Sequence, residues 1–91
     1  MRTFKQHLAE EFRDSEFKKL YDEERQLLEI AFKVVDARKQ SGLSQKELAQ
    51  KAHITQQQLS RIEHGTNCNM LTFLKVCQAL GIRIDVGYAA Q

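Results

Sequence analysis

The chain has 91 residues, 42% of them hydrophobic, with no Pro and only four Gly. A chain this short buries roughly 60–65% of the surface its unfolded form exposes, which allows one compact helical core and excludes a core with a deep substrate pocket. Fourteen Lys and Arg against twelve Asp and Glu leave a net charge of +2, too small by itself to point to a nucleic-acid partner.

The distribution of charge says more. Residues 1–40 carry nine basic and nine acidic side chains, whereas residues 41–91 carry five basic and three acidic ones, so the positive excess lies in the second half. Acids crowd the first part at Glu10, Glu11, Asp14, Glu16, Asp22, Glu23 and Glu24. A functional surface and a merely solvated helix face both fit these trends. Cys68 and Cys77 have no metal-ligand spacing and make no disulfide framework, which suits thiols in a reducing cytoplasm. No apolar run follows Met1-Arg2, so no signal peptide is expected, and no window approaches the ~20 apolar residues that span a bilayer.

In chain order, Thr3 and Gln6 have the spacing of a capping box, and Phe4, Leu8 and Phe12 follow at four-residue intervals as one helical stripe. Asp14-Ser15 interrupts that helix and caps a second over residues 16–40. Phe17, Leu20 and Tyr21 make its first apolar patch, and Leu27, Leu28, Ala31, Val34 and Val35 its second. The polar run 22–26 between them reads as a boundary of packing, with the first patch folded on Phe4, Leu8 and Phe12 as a hairpin. Four of the five Phe lie in residues 1–32. These rings either cover the main core or form an aromatic surface rimmed by acids, the makeup of a partner-binding hot spot.

Gly42 ends the long helix. Ser44 with Glu47 and Thr55 with Gln58 are capping boxes that open two short helices, 45–52 and 56–64, joined by the turn His53-Ile54. Ala49 supplies the small side chain needed where two such helices cross, and Leu48, Ile54, Leu59 and Ile62 the inward contacts. His53 stands where the turn needs positive φ, which His tolerates better than most non-Gly residues. Gly65 stops the second helix, a polar loop follows, and residues 70–80 form a further helix with Leu71, Leu74, Val76, Cys77 and Leu80 inward, stopped by Gly81. Ile82, Ile84, Val86 and Tyr88 then alternate with Arg83, Asp85 and Gly87, the period of a half-buried strand. Such a strand would pair with a second copy or a partner's sheet edge; otherwise it is a tail along the helices.

GLSQKELAQKAHITQQQLSRIEHG closely resembles the helix-turn-helix of the Xre and lambdoid phage repressor family, and Arg38 before it and MLTFLKVCQALGI after it extend the match to about residues 27–82. The preceding FKQHLAEEFRDSEFKKLYDEE and the strand behind resemble HigA-type antitoxins of type II toxin–antitoxin pairs. Asn69 departs from the family pattern, standing where a Pro is usual, and the strand replaces a fifth repressor helix. The expected fold is therefore all-α: a five-helix lambda-repressor-like helix-turn-helix domain (residues 24–81) with an N-terminal helical extension (1–23, toxin-binding) and one short C-terminal strand (82–91, a pairing element).

The resemblance implies that the helix after Thr55 enters the major groove of double-stranded operator DNA. Gln56 and Gln57 sit in its first turn, and an amide that donates to N7 and accepts from N6 reads adenine. Arg61, one turn on, suits guanine or a phosphate, and Gln58 and Ser60 flank it. Gln45, Lys46, Lys51, Thr66 and Asn67 are backbone candidates. Arg38 and Glu63 match the positions of a structural ion pair. Few basic residues per copy imply a homodimer on a palindromic operator, with residues 70–80 and 82–88 as dimer candidates.

The resemblance further implies neutralisation of a RelE/HigB-like ribonuclease toxin through Phe4, Leu8, Glu11, Phe12, Phe17, Leu20 and Tyr21, together with autorepression. The alternative is a free-standing Xre-family repressor without a toxin. An enzyme is not expected: His7, His53 and His64 have no triad or ligand spacing, and no Gly-rich phosphate loop occurs. No cofactor, metal or membrane partner is expected, and the localisation expected is cytoplasmic.

Overall fold

In the computed structural model, residues 15–89 are described. They form four helices in the order α1 (Ser15–Gln40), α2 (Gln45–Ala52), α3 (Gln56–Glu63) and α4 (Met70–Leu80). α2 packs on α3 and α4, and α1 packs chiefly on α3. The core they enclose is small: Leu48, Leu59, Val34 and Val76 are wholly buried, with Ala31, Ala49, Ala52, Ile62 and Cys77 around them. Burying each large aliphatic side chain contributes about 1.5–3 kcal/mol, so these four positions carry much of the hydrophobic stabilisation.

The helix starts follow from their caps. Ser44 Oγ accepts from the Glu47 N–H at 3.1 Å while the Glu47 carboxylate accepts from the Ser44 N–H at 3.0 Å. Thr55 and Gln58 make the same reciprocal pair at 3.0 and 2.9 Å. Asn69, the residue in place of a Pro, caps α4 with Oδ1 on the Leu71 N–H at 2.8 Å. All four helices end alike, with two backbone N–H groups folding back on the last carbonyls, as when Gly65 donates to Ile62 and Thr66 to Arg61, both at 3.0 Å. In α2 the left-handed residue of this motif is His53, at φ 58°.

Three expectations are corrected. The described residues contain four helices, not five; the helix expected over residues 3–13, with Phe4, Leu8, Glu11 and Phe12, lies outside them. There is no C-terminal strand: residues 82–89 have neither helical nor strand structure. The Ile82 N–H is spent on the Cys77 carbonyl at 2.8 Å, closing α4, and no second strand among the described residues offers backbone for the others. Val86 and Tyr88 are fully exposed. Finally, Leu71 and Leu74 face solvent rather than the core, because α4 is apolar on most sides and buries mainly Val76 and Cys77.

Candidate nucleic-acid interface

α2 packs on α3, and Leu48 and Ala49 of the one and Leu59 and Ile62 of the other are buried together in the core. The short side chain of Ala49 is what allows the two backbones to approach around the tight His53-Ile54 turn. With Leu59 and Ile62 inward, the ~100° helical step places Gln57 about 170° from the middle of the buried stripe, Ser60 and Arg61 about 130°, and Gln56 at one flank. Gln56, Gln57 and Arg61 are exposed, and Ser60 is half-buried. The outward ridge of α3 is therefore Gln57–Arg61, one turn apart.

The structure separates the three glutamines. Gln58 spends its side-chain oxygen on the Thr55 N–H, and Thr55 spends a lone pair on the Gln58 N–H. A base reader of the adenine type uses both amide atoms, and the Gln58 amide is held in place by the cap with one of its two oxygen lone pairs already engaged, which makes it the least free of the three. Thr55 retains a hydroxyl proton that suits a phosphate oxygen. No protein hydrogen bond engages the side chains of Gln56 and Gln57 among the bonds of the described residues.

Behind the ridge, α3 is anchored by a small polar network. Arg38 Nε and Nη2 donate to the two oxygens of Glu63 at 2.8 and 3.0 Å, and its Nη1 donates to the Leu43 carbonyl at 3.0 Å. The side chains are 13% and 4% exposed, so the pair is nearly dry. Gln45 Nε2 donates to the same Glu63 Oε1 at 3.1 Å. Gln45 is thus tied directly to α3, and through the shared Glu63 carboxylate to Arg38 of α1. The coupling of Gln45 to Glu63 had no sequence signal, since 18 residues separate them. Lys46 in the first turn of α2, Lys51 in its last turn, and Thr66 and Asn67 in the loop after α3 are all exposed. His64 turns back on α3, its Nδ1 2.6 Å from the Ser60 carbonyl, which only an Nδ1–H can satisfy.

Electrostatically the site is mild. Hydrogen bonds from the Ser44 backbone and hydroxyl hold the Glu47 carboxyl below its ordinary range. Burial pushes both thiols up, Cys77 further raised by the nearby Cys68. Raised thiols are poor nucleophiles, so neither Cys resembles a catalytic one. Among the described residues no three His, Cys, Asp or Glu side chains are grouped to hold a metal, and no helix is long and apolar enough to cross a membrane. Of the residues singled out as a protein-binding surface, Phe17 is half-buried on α1, while Leu20 and Tyr21 are exposed.

Two short helices crossing at a small residue, the second presenting free amides and a guanidinium on a rigid ridge, define a helix-turn-helix DNA-binding protein. The family profile described as Helix-turn-helix matches residues 35–86, more than half of the chain, and the chain belongs to that family, in its Xre-like form. The family consists of DNA-binding regulators, generally non-enzymatic. No curated protein matches the chain.

Proposed function

We propose that this protein is a sequence-specific transcriptional repressor that binds a palindromic operator as a homodimer, with α3 in the major groove. The observation that carries the reading is the exposed Gln57–Arg61 ridge on a helix fixed by the Arg38–Glu63–Gln45 network. Gln56 and Gln57 read base edges, and Arg61 reads guanine or a phosphate. Gln45, Lys46, Thr55, Thr66 and Asn67 hold the sugar-phosphate backbone, and Gln58 and Ser60 act at the margin. One copy brings few cations to this face, so specific affinity relies on two copies a helical turn apart. The test is gel-shift and footprinting on DNA upstream of the protein's own reading frame. Replacing Gln56 and Gln57 together with Ala should abolish the footprint while leaving the helical content unchanged. An intact footprint would place the reading surface elsewhere.

A second reading adds a partner: an antitoxin that also neutralises a RelE/HigB-like ribonuclease. It is favoured by the exposed Leu20 and Tyr21 beside Glu16, Glu23 and Glu24, an apolar and acidic end of α1 that suits a basic protein and that the DNA-reading core does not use. Phe4, Leu8, Glu11, Phe12 and Phe17 would complete that surface. Co-purification with the product of an adjacent reading frame tests it. If a basic neighbour of RelE/HigB type does not bind, the protein is a repressor alone; if it still binds after Leu20→Asp and Tyr21→Asp, the partner surface lies elsewhere.

A further inference from the structure

We propose that the outer face of α1 is the homodimer interface, on which a second copy of this chain lies antiparallel about a two-fold axis near residue 31. This rests on the dimeric reading above and names its surface. Phe32 is 79% exposed and Leu28 54%, on the side of α1 away from Val34 and the core. With Phe32 as centre line, a ~100° step puts Leu28 and Val35 about 40–60° to one side and Arg25, Asp36 and Glu29 about 20–60° to the other, with Lys33 farther round. Leu28, Ala31, Phe32 and Val35 line an open apolar hollow of about 310 Å³ against α3.

The charges commit this face to a second copy. In an antiparallel two-fold pair, residues at about the same distance before and after the axis, to within a residue, meet, and like flanks face each other. Arg25 then meets Asp36 of the other copy, and Glu29 meets Lys33, each contact occurring twice. On the opposite flank Leu28 meets Val35, and the two Phe32 rings approach at the axis. These four charges find their opposites and the apolar flank finds itself, while Lys39, about 20° to the apolar side and exposed, lies at the outer end of the contact. In the single copy these charges make only exposed, local contacts, Arg25 with Glu29 at 3.5 Å and Asp36 with Gln40 at 2.9 Å, which exchange at little cost. The other exposed apolar face, Met70, Leu71 and Leu74 on α4, has Lys75 at its side and no acid on that helix, so it lacks this self-complementarity.

The test is a charge swap in the full chain, read by sedimentation equilibrium with helicity checked by circular dichroism. Arg25 and Asp36 are roughly 16 Å apart along one helix, out of reach of each other within a copy, so rescue reports contact between copies. Arg25→Glu and Asp36→Arg singly should each raise the dimer dissociation constant about tenfold or more, and the double variant should return it towards wild type. Phe32→Asp should give a folded monomer. A dimer indifferent to all of these would overturn the interface while leaving the dimeric reading intact. A wild-type monomer at micromolar concentration would overturn both.

Discussion

Gln45, the first residue of α2, and Glu63, the last of α3, are joined by a 3.1 Å hydrogen bond on the same carboxylate oxygen that receives Arg38 Nη2. The two helices of the motif are thus held at their far ends as well as at the Ala49 crossing. Glu63 has no spare solvent: its side chain is only 4% exposed. The orientation of α3 against α2 and α1 is therefore fixed by polar geometry, which is directional, as well as by apolar contact, which is not.

Removing one partner of this pair should be costly. Arg38→Met leaves the Glu63 carboxylate buried with only Gln45 as donor and should destabilise the fold by about 3 kcal/mol. Replacing both, Arg38→Met with Glu63→Leu, should recover much of the loss, because no buried charge remains. Urea denaturation measures both. The double variant should still weaken operator binding, since Gln45 loses its acceptor.

The His53 turn predicts a gain. A non-Gly residue in the left-handed region costs about 1–2 kcal/mol, and Gly there gives back part of that as unfolded-chain entropy. His53→Gly should therefore stabilise by about 0.5–1 kcal/mol in thermal or urea unfolding. His53→Val, whose branched side chain resists positive φ, should destabilise.

Gly65 is constrained twice, by φ +77° and by Leu28, whose Cδ2 would lie 2.8 Å from an added Cβ. Backbone strain dominates, because the Leu28 tip is half-exposed and can move. Gly65→Ala should cost about 1–2 kcal/mol. Adding Leu28→Ala should not relieve that cost. If it did, the steric contact would be the larger effect.

Much of the architecture was readable because its boundaries are chemical. Ser44 with Glu47, Thr55 with Gln58, and the glycines after α1, α3 and α4 are local signals, and the helices begin and end at them. The strand over residues 82–88 failed because alternation records only which side chains are apolar. A strand also needs neighbouring backbone, and that is a property of the whole fold. Leu71 and Leu74 failed for a related reason: in a helix apolar on most sides, periodicity cannot say which side is covered. The Gln45–Glu63 bond was invisible because it joins residues far apart in sequence. The reading roles proposed for Gln56, Gln57 and Arg61 rest on their exposure and on the family's chemistry.

The lowered Glu47 carboxyl predicts a pH dependence. A carboxyl lowered in the folded state stabilises the fold fully above its unfolded value of about 4.3, and that stabilisation is lost as pH falls through the lowered folded value. Melting temperature should thus fall with acid below about pH 4.3 more steeply in wild type than in Glu47→Gln, which keeps an acceptor but cannot titrate. Parallel curves would mean that the box does not hold in solution.

The central claim is that α3 reads sequence through its Gln57–Arg61 ridge. The most direct measurement is selection of preferred sites from a random duplex library by wild type, Gln57→Ala and Arg61→Ala. Wild type should select a two-fold symmetric site. Gln57→Ala should lose preference at one position in each half-site, at a cost of about 1–3 kcal/mol against the preferred base, and keep the rest. Arg61→Ala should either relax a different position or weaken all sites alike, according to whether it meets a base or a phosphate. An unchanged selected site in both variants would contradict the account.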